Sequence, residues 1–282
     1  MKRKELLVIL LISIMLTLMI GCAPSAPPVQ YGSIDVTSTP TGAKVYLNGV
    51  DTGMVTPIIF TKEVGNYTVN LDKFHYKIWE GTVTVNADQT TYINAPLPYA
   101  STETITLQPG AEGKDCSVNQ LSPDYSDGSW IMLWSGYTLF EKTCRAYLQF
   151  DLSTVPGNAR IIDASLILYQ NTARGTGSFD VGLYQVTSYW GEYTATWNNQ
   201  PTSSTMVESS CPVYFDWFIW RIWNNIGDLV QGWLDESIAN YGMLLKATTD
   251  ETSLTLLASF WSSGYTDDPS KRPKLTIDYY IP

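Results

Sequence analysis

Short runs in which apolar and polar residues alternate begin at residue 31 and continue to about residue 98. The apolar members of these runs are Ile34 and Val36, then Val45 and Leu47, then Tyr67, Val69 and Leu71, and then Trp79, Val83 and Val85. Stretches rich in Gly, Asn and Pro separate the runs and favour turns. A period of two places alternate side chains on opposite faces of a strand, so the pattern predicts a small antiparallel β-sandwich over residues 31–98.

A second and longer series of strand-like runs follows the segment 99–101, which we interpret as a linker. These runs are 131–135, 144–152, 164–170, 179–186, 243–247, 254–260 and 274–280. Their number and the turns between them predict a second, larger β-sandwich over residues 102–282. In the run 144–152, Ala146 and its alternate neighbours are predicted to face the core, and Tyr147 and its alternates to face water.

One segment of the second region departs from the strand pattern. Ile226, Leu229, Val230 and Trp233 recur at helical spacing, which predicts one short helix with Trp233 in the core. Asn225 precedes these positions and is predicted to cap the N-terminus of the helix. The predicted fold class is therefore all-β, with two β-sandwich domains and one short helix.

The N-terminal segment, residues 1–21, has the organisation of a signal peptide. Three cations precede an apolar run that is shorter than the about 20 residues needed to span a bilayer. Gly21 followed by Cys22 resembles the lipobox of prokaryotic lipoproteins, which implies cleavage before Cys22 and lipidation of its sulfur. An uncleaved helix, or a secretory signal that ends elsewhere, is the alternative. Residues 22–30 are rich in Pro and Ala and are predicted to form an extended tether.

The chain is acidic, with 27 Asp and Glu residues against 17 Lys and Arg residues and a formal net charge of −10. Residues 1–21 contain three cations and one anion, so the remainder carries −12. A surface of this sign repels a phosphate backbone, and no stripe of Lys and Arg compensates for it. The charge therefore argues against nucleic acid as a partner.

Several motifs of the first predicted sandwich follow one another in a fixed order. They are Pro40, Gly42 and Ala43, then Val45, Leu47 and Gly49, then Thr56 and Pro57, and then Gly65, Tyr67 and Val69. With these motifs residues 31–98 resemble a PEGA domain, although the tetrapeptide that gives the family its name reads PTGA here. The resemblance implies a surface-exposed β module that supplies architecture and no catalytic residues.

The second region contains its own ordered motifs. They are YLQFDLSTVPGNARIIDASLILY at 147–169, TWNNQP at 196–201, DLVQGWLDESIANYGMLLKA at 228–247 and RPKLTIDYY at 272–280. With these motifs residues 102–282 resemble the DNRLRE-type module, which is also classed as a carbohydrate-binding module and is related to repeats of archaeal disaggregatase proteins. The resemblance implies a jelly-roll-like β-sandwich. The stretch ASFWSSGY at 258–265 departs from the family, which more often has an acidic residue after the serine.

The sequence offers little for catalysis. Its one histidine, His75, lies in the first region, so no Ser/His/Asp or Cys/His relay can form in the second. Paired carboxylates could still support glycoside chemistry. The candidate carboxylates are Asp124, Asp127, Glu192, Asp267 and Asp268. Their turn-like surroundings are typical of solvated acids, and we predict that the chain is not an enzyme.

No organic cofactor is predicted, but acidic side chains supply oxygen donors that could bind a structural calcium ion. Asp115 could converge with Asp267 and Asp268 when the sandwich closes, and the alternative is that all three are exposed turn acids. With Cys22 assigned to lipid, Cys116 and Cys144 are the favoured disulfide pair. Buried free thiols are the alternative, because connectivity cannot be read from a sequence.

Ten Trp and eighteen Tyr residues exceed what a core of this size requires, and several lie in or beside turns. An aromatic face can stack on the C–H face of a sugar ring while neighbouring polar groups bond the hydroxyls. The candidate carbohydrate-binding rings are Trp134, Trp220, Trp261, Tyr265 and Trp190. Trp197 belongs to the TWNNQP motif and is predicted to pack inward.

We therefore expect a non-catalytic, lipid-anchored protein of the cell surface that binds polysaccharide, or other components of the cell envelope, through its second sandwich. The alternative is a structural or assembly protein that makes protein–protein contacts, and a third hypothesis is a glycoside hydrolase or lyase. Several exposed rings in one groove would favour sugar binding. A broad patch that mixes aromatic and aliphatic residues would favour contact with another protein.

Overall fold

The computed structural model describes residues 28–110 and 112–282. The predictions for the signal peptide and for Cys22 lie outside the described residues. The chain divides into two compact units. The first contains the described residues up to Phe74 together with Ile78–Leu97, and the second contains His75–Lys77 and Pro98–Pro282 without residue 111.

The first unit is a sandwich of two small sheets. Its strands are β1 (Tyr31–Thr39), β2 (Lys44–Leu47), β3 (Val50–Val55), β4 (Ile58–Glu63), β5 (Gly65–Asp72), β6 (Trp79–Val85) and β7 (Thr90–Pro96). One sheet has the order β4-β1-β7 and the other β3-β2-β5-β6. Ile34, Val36, Val45 and Val69 are fully buried between them, which confirms the sandwich predicted from the period-two pattern.

One strand pair of this unit differs from the antiparallel arrangement that the sequence predicts. β1 and β7 run parallel, with Ile34 beside Thr91 and Val36 beside Ile93. They are the first and last strands of the unit and are connected through the other sheet. No tight hairpin joins them, so nothing forces the antiparallel direction that a hairpin imposes.

The second unit is a larger sandwich with one short helix. Its strands are β8 (Glu103–Leu107), β9 (Lys114–Asn119), β10 (Met132–Thr138), β11 (Lys142–Gln149), β12 (Arg160–Gly175), β13 (Ser178–Gln185), β14 (Ser209–Tyr214), β15 (Ile219–Trp223), β16 (Met243–Ala247), β17 (Leu256–Trp261) and β18 (Lys274–Tyr280). The helix α1 spans Gly227–Leu234, and 3-10 turns occupy Trp197–Asn199, Glu251–Ser253 and Pro269–Lys271. The all-β class predicted from the sequence is confirmed.

Hydrogen bonds connect the strands of this unit into two layers. One layer has the order β14-β13-β16-β11-β9 and the other β15-β12-β18-β8, and the pair β10-β17 links β11 to β12. Trp223 and Phe260 meet edge to face in the core with ring centroids 5.9 Å apart. The indole N–H of Trp223 donates to the carbonyl oxygen of Val181 at 2.7 Å, so this buried ring has no unsatisfied polar atom.

The helix α1 closes one side of the core as its spacing predicts. Leu229, Val230 and Trp233 are buried on its inner face. The expectation for its cap is wrong, because Ile226 is the N-cap residue and no side chain caps the helix. Asn225 instead adopts a positive φ of 60°, a conformation that asparagine tolerates better than most residues.

The predicted wet face of strand β11 is covered, with Tyr147 buried and Arg145 and Gln149 half-buried, which corrects the prediction that this face is open to water. Tyr147 is 1% exposed, and with Trp190, Val118 and Leu244 it belongs to a second apolar cluster on the outer side of the layer. The segment 187–203 supplies Trp190 and covers this face. A period of two shows which residues share a face, but it cannot show that a distant loop covers that face.

The cysteines Cys116, Cys144 and Cys211 are free and buried, so the predicted Cys116–Cys144 disulfide is absent from the structure. The register of β9 on β11 explains this correction. Cys116 lies opposite Tyr147, whereas Cys144 lies opposite Asn119. A three-residue stagger separates the two Cα atoms by about 10 Å along the strands, and a disulfide requires Cα atoms within about 7 Å.

Candidate functional site

Trp190 is not a surface ring, which corrects the sequence-based prediction. It is 4% exposed, and its indole N–H donates to the carbonyl oxygen of Tyr241 at 2.8 Å. Its ring packs against Tyr147 with centroids 5.7 Å apart, and the ammonium of Lys114 lies 4.3 Å from its centroid. Trp190 therefore holds its own segment against the sheet.

The aromatic rings of Trp261 and Tyr265 are in direct contact with each other. Their rings stack in parallel with centroids 3.9 Å apart, and Tyr265 is only 9% exposed. The guanidinium of Arg272 donates to the carbonyl oxygen of Tyr265 at 2.7 Å and fixes this corner. Stacking of the two rings leaves Tyr265 unavailable as a platform, which corrects that part of the prediction.

Trp134 lies in a cleft of about 420 Å3, which we call the aromatic cleft and define by Tyr125, Trp130, Trp134, Asp127 and Arg174. Trp134 projects outward from β10. Tyr125, Asp127 and Trp130 come from the loop between β9 and β10, and Arg174 comes from the end of β12. Tyr125 and Trp130 are 55% and 52% exposed, so each presents much of its ring to solvent.

Hydrogen bonds hold the loop of the aromatic cleft in place. The hydroxyl of Ser126 donates to the carbonyl oxygen of Glu192 at 3.1 Å, and the hydroxyl of Ser262 donates to that of Trp130 at 2.9 Å. The backbone N–H of Trp130 donates to the carbonyl oxygen of Asp127 at 3.0 Å. Exposed rings on an anchored loop lose little conformational entropy when a ligand binds.

The charged groups of the aromatic cleft have unequal surroundings. Arg174 forms an ion pair with Glu141, and its guanidinium lies 4.8 Å from the centroid of Trp134. Asp127 has no hydrogen bond or ion pair on its carboxylate among residues 28–110 and 112–282. Partial burial raises the pKa of Asp127. The cleft thus combines exposed rings with one unpartnered carboxylate and the amide of Asn119, which also lines it.

Trp220 belongs to a second aromatic surface, which we call the aromatic hairpin and define as the end of β14, the turn and β15, Tyr214–Trp223. Its exposed large side chains are Tyr214, Phe215, Trp217, Phe218, Ile219, Trp220 and Ile222. Trp220 meets Tyr169 edge to face at 4.9 Å, and the ammonium of Lys274 lies 4.6 Å from its ring centroid. The hairpin is therefore a broad patch of mixed aromatic and aliphatic residues.

A buried polar network fixes the aromatic hairpin. The side-chain amide of Gln170 donates to the carbonyl oxygens of Tyr214 at 3.0 Å and Asp216 at 2.8 Å. Arg221, 7% exposed, donates to Gln170 and forms a 2.9 Å ion pair with Asp216. A network with these bonds satisfied stiffens the turn that carries Phe215, Trp217 and Phe218.

A smaller cavity of about 210 Å3 adjoins Trp130 and contains two carboxyl groups. Asp115 is 5% exposed and accepts a hydrogen bond of 2.8 Å from the backbone N–H of Ser263. Burial raises the pKa of Asp115 to about 7 and also raises the pKa of Glu192. The pair can hold a proton near neutral pH, but Asp115 is too deeply buried to contact a glycosidic bond.

The structure does not bring Asp115 together with the other predicted calcium ligands. Asp268 accepts hydrogen bonds from the backbone N–H and the hydroxyl of Ser270 and pairs with Lys271 at 3.3 Å. Asp267 does not line the cavity of Asp115. Over the described part of the chain, no group of three or more His, Cys, Asp and Glu side chains could hold a metal ion. Calcium binding stays a prediction.

Sequence reasoning missed Tyr125, Trp130 and Arg174 of the aromatic cleft and most rings of the aromatic hairpin. The segment LSPDYSDGSW, residues 121–130, carries a usable signal, because two aromatic rings stand in a stretch of turn formers. Arg174 carries no such signal. Arg174 lines the same cleft as the loop 121–130 because its strand, β12, and the strand that follows the loop, β10, both pair with β17.

Within the part of the chain that the structure covers, every helix is too short or too polar to cross a bilayer.

Comparisons with known proteins match both units. Residues 31–101 match the model of the PEGA domain, and residues 111–278 match the model of carbohydrate-binding module family 96. The search of curated proteins found no match.

Two solved structures of pilins are distant neighbours. The chain is 9% identical to the Corynebacterium diphtheriae major pilin SpaA, with a TM-score of 0.22, covering 82% of this chain and 58% of that one. It is 8% identical to the full-length major pilin SpaD of the same organism, with a TM-score of 0.15, covering 90% and 56%. The chain thus spans less than two thirds of either pilin.

Proposed function

We propose, since the chain belongs to carbohydrate-binding module family 96 through residues 111–278, that its second unit binds polysaccharide at the aromatic cleft without cleaving it. The observation that carries this proposal is the pair of half-exposed rings, Tyr125 and Trp130, beside the polar groups of Asn119 and Asp127 in one cleft of about 420 Å3.

The chemistry of a sugar ring fits this combination. The C–H face of a pyranose is apolar, so stacking on Trp130 or Tyr125 removes apolar area from water at about 25 cal/mol per Å2. The hydroxyls need partners, and Asn119 and Asp127 provide an amide and a carboxylate. Most ligand sites have this mixture of apolar walls and a few placed polar groups.

For the whole chain we propose a lipid-anchored protein of the extracytoplasmic surface. The apolar N-terminal segment and the Gly21-Cys22 pair support lipidation at Cys22, and two or more acyl chains would anchor the protein stably. The PEGA domain at residues 31–101 would then act as a spacer, and the second unit would engage polysaccharide or other components of the cell envelope.

A glycan array followed by affinity electrophoresis on a retained polysaccharide tests the site. We expect Trp130→Ala to weaken binding by about tenfold or more, because a stacked ring loses its buried area. Trp217→Ala is the matched control, since Trp130 and Trp217 are 52% and 59% exposed. Loss of binding in Trp217→Ala, with Trp130→Ala unchanged, would contradict the proposed site.

The aromatic hairpin favours a second candidate function, contact with another protein. Its mixture of Phe215, Trp217, Phe218 and Ile219 has the composition of an interface core. Sedimentation velocity over a range of concentrations tests self-association through this surface. We expect Phe218→Ser to lower association while Trp130→Ala leaves it unchanged, and equal sedimentation of all variants would argue against it.

A further inference from the structure

We propose that two copies of the chain pair about a two-fold axis through their aromatic hairpins, with Lys274 of each copy bound to Asp216 of the other. This inference rests on the second candidate function, contact of the hairpin with another protein, and it names that protein as a second copy of the chain. In a two-fold interface the same patch occurs on both sides, so the patch must be complementary to itself. The apolar area of the hairpin and the charges at its edge support this pairing.

The exposed apolar area of the aromatic hairpin is large enough for a stable dimer. Its seven exposed large side chains, from Tyr214 to Ile222, are between 38% and 66% exposed. A large aromatic side chain buries about 150–250 Å2 in full, so the seven together offer on the order of 700 Å2. A standard interface buries about 800 Å2 on each partner, whereas the largest apolar patch of a monomeric protein is commonly about 300–600 Å2. The hairpin therefore has the size of one side of an interface.

The aromatic hairpin carries a cation and an anion that are both incompletely paired. The ammonium of Lys274 lies 4.6 Å from the ring centroid of Trp220, and no carboxylate among the described residues pairs with it. The side chain of Asp216 is 45% exposed and accepts from Arg221 through Oδ2 at 2.9 Å. Its Oδ1 accepts no hydrogen bond from the part of the chain that the structure describes. Within one copy, therefore, Lys274 and Asp216 do not pair with each other.

A two-fold axis brings these two groups together across the interface. Asp216 lies in the turn, whereas Lys274 contacts Trp220 within β15. Hairpins that face each other in opposite directions place the turn of each copy against β15 of the other, and the axis makes both contacts at once. The two ion pairs then fix the orientation of the copies. A bilayer interior offers no partner for the exposed oxygen of Asp216, so the charges favour a second copy over a lipid surface.

Pairing through the aromatic hairpin leaves the aromatic cleft open. The described lining of the cleft includes neither Lys274 nor any residue of Tyr214–Trp223. The hairpin is also held by Gln170 before any contact forms, so pairing orders few groups. A dimer of this kind presents two clefts, and two clefts on one particle strengthen retention on a polymer through multivalency.

Sedimentation velocity over a range of concentrations measures the dissociation constant of the dimer. The chain from residue 22 onward is used, with Cys22→Ser to remove the proposed lipidation site. We expect Phe218→Ser to raise the dissociation constant by about tenfold or more, because it removes an apolar ring from the patch. Phe140→Ser is the matched control and should change nothing, since Phe140 is 85% exposed on the turn between β10 and β11, outside the patch.

A double-mutant cycle tests the ion pairs. Lys274→Gln and Asp216→Asn should each raise the dissociation constant by about tenfold, because each change removes both ion pairs of the dimer. The double variant should raise it no further than either single change. Asp216→Asn keeps an oxygen that accepts from Arg221, so the support of the turn remains. Lys44→Gln, at an exposed lysine of β2, is the control and should leave association unchanged.

The outcomes separate the inference from the second candidate function. If Phe218→Ser weakens association but Lys274→Gln has no effect, or its loss adds to that of Asp216→Asn, the inference is wrong and self-association through the hairpin stays in place. Equal sedimentation of all variants overturns both. Wild-type binding to phosphatidylglycerol vesicles that is lost in Phe218→Ser, without association in solution, would assign the hairpin to a lipid surface and would also overturn both.

Discussion

The guanidinium of Arg221 donates a hydrogen bond of 2.7 Å to the side-chain oxygen of Gln170, and both residues are buried beneath the aromatic hairpin. Gln170 in turn donates to two carbonyl oxygens of the turn, those of Tyr214 and Asp216. The exposed rings of the hairpin therefore stand on a rigid polar support. A protein rarely exposes so many large apolar side chains on an ordered turn unless they contact something.

Loss of this support should destabilise the second unit. We expect Arg221→Met to lower the free energy of unfolding by about 1–3 kcal/mol, because it leaves the buried oxygen of Gln170 without its donor. Arg174→Met is the matched control, since the side chains of its ion pair with Glu141 are 55% and 32% exposed and such pairs near the surface contribute at most about 1 kcal/mol. Urea unfolding measures the stability of both variants. Equal losses of unfolding free energy would contradict a structural role for the buried hydrogen bond between Arg221 and Gln170.

The pKa of Asp115 predicts a dependence of stability on pH. Burial raises this pKa from 3.8 to about 7, so the native state keeps a proton that the unfolded chain has already lost between about pH 4 and pH 7. The free energy of unfolding therefore falls as pH rises through this window, by on the order of 4 kcal/mol at most. Above about pH 7 it levels off. Glu192, whose pKa is also raised, acts in the same direction.

Asp115→Asn tests this prediction, because the amide oxygen of asparagine can still accept the hydrogen bond from the backbone N–H of Ser263. Urea unfolding at about pH 5 and about pH 8 should show a smaller difference for the variant than for the wild type. An unchanged difference would mean that other groups account for the pH dependence.

The sequence predicts the fold better than it predicts the site. Alternation in β1 is sufficient to place Ile34 and Val36 in a core, because a strand with one buried face imposes a period of two. Helical spacing likewise places Trp233 inside. These are local signals, and both report the face that a residue shares with its neighbours.

The site depends on contacts between distant parts of the chain. Trp190 and Trp130 both stand among turn formers, yet Trp190 is 4% exposed and Trp130 is 52% exposed. The difference arises because the segment of Trp190 lies over Tyr147, whereas the segment of Trp130 borders an open cleft. The residues next to a tryptophan in the sequence do not determine whether its ring is buried or exposed. The packing of loops on strands determines this.

The burial of Trp190 predicts a large effect on stability. We expect Trp190→Ala to lower the free energy of unfolding by about 3–5 kcal/mol, because it removes a buried ring and leaves a cavity against Tyr147. Trp217→Ala removes a ring that is 59% exposed and should change stability by less than about 0.5 kcal/mol. Thermal or urea unfolding distinguishes the two, and similar small effects would show that Trp190 lies at the surface after all.

The free cysteines predict a specific pattern of thiol reactivity. Burial raises the pKa of the Cys144 thiol to about 12 and raises the pKa of Cys116 further. Neither forms an appreciable thiolate at neutral pH, so both should resist a thiol reagent in the native protein. In a Cys22→Ser background, unfolding without a reductant should expose three reactive thiols, from Cys116, Cys144 and Cys211. A single reactive thiol would instead reveal a disulfide, and the strand register of Cys116 opposite Tyr147 would then have to be wrong.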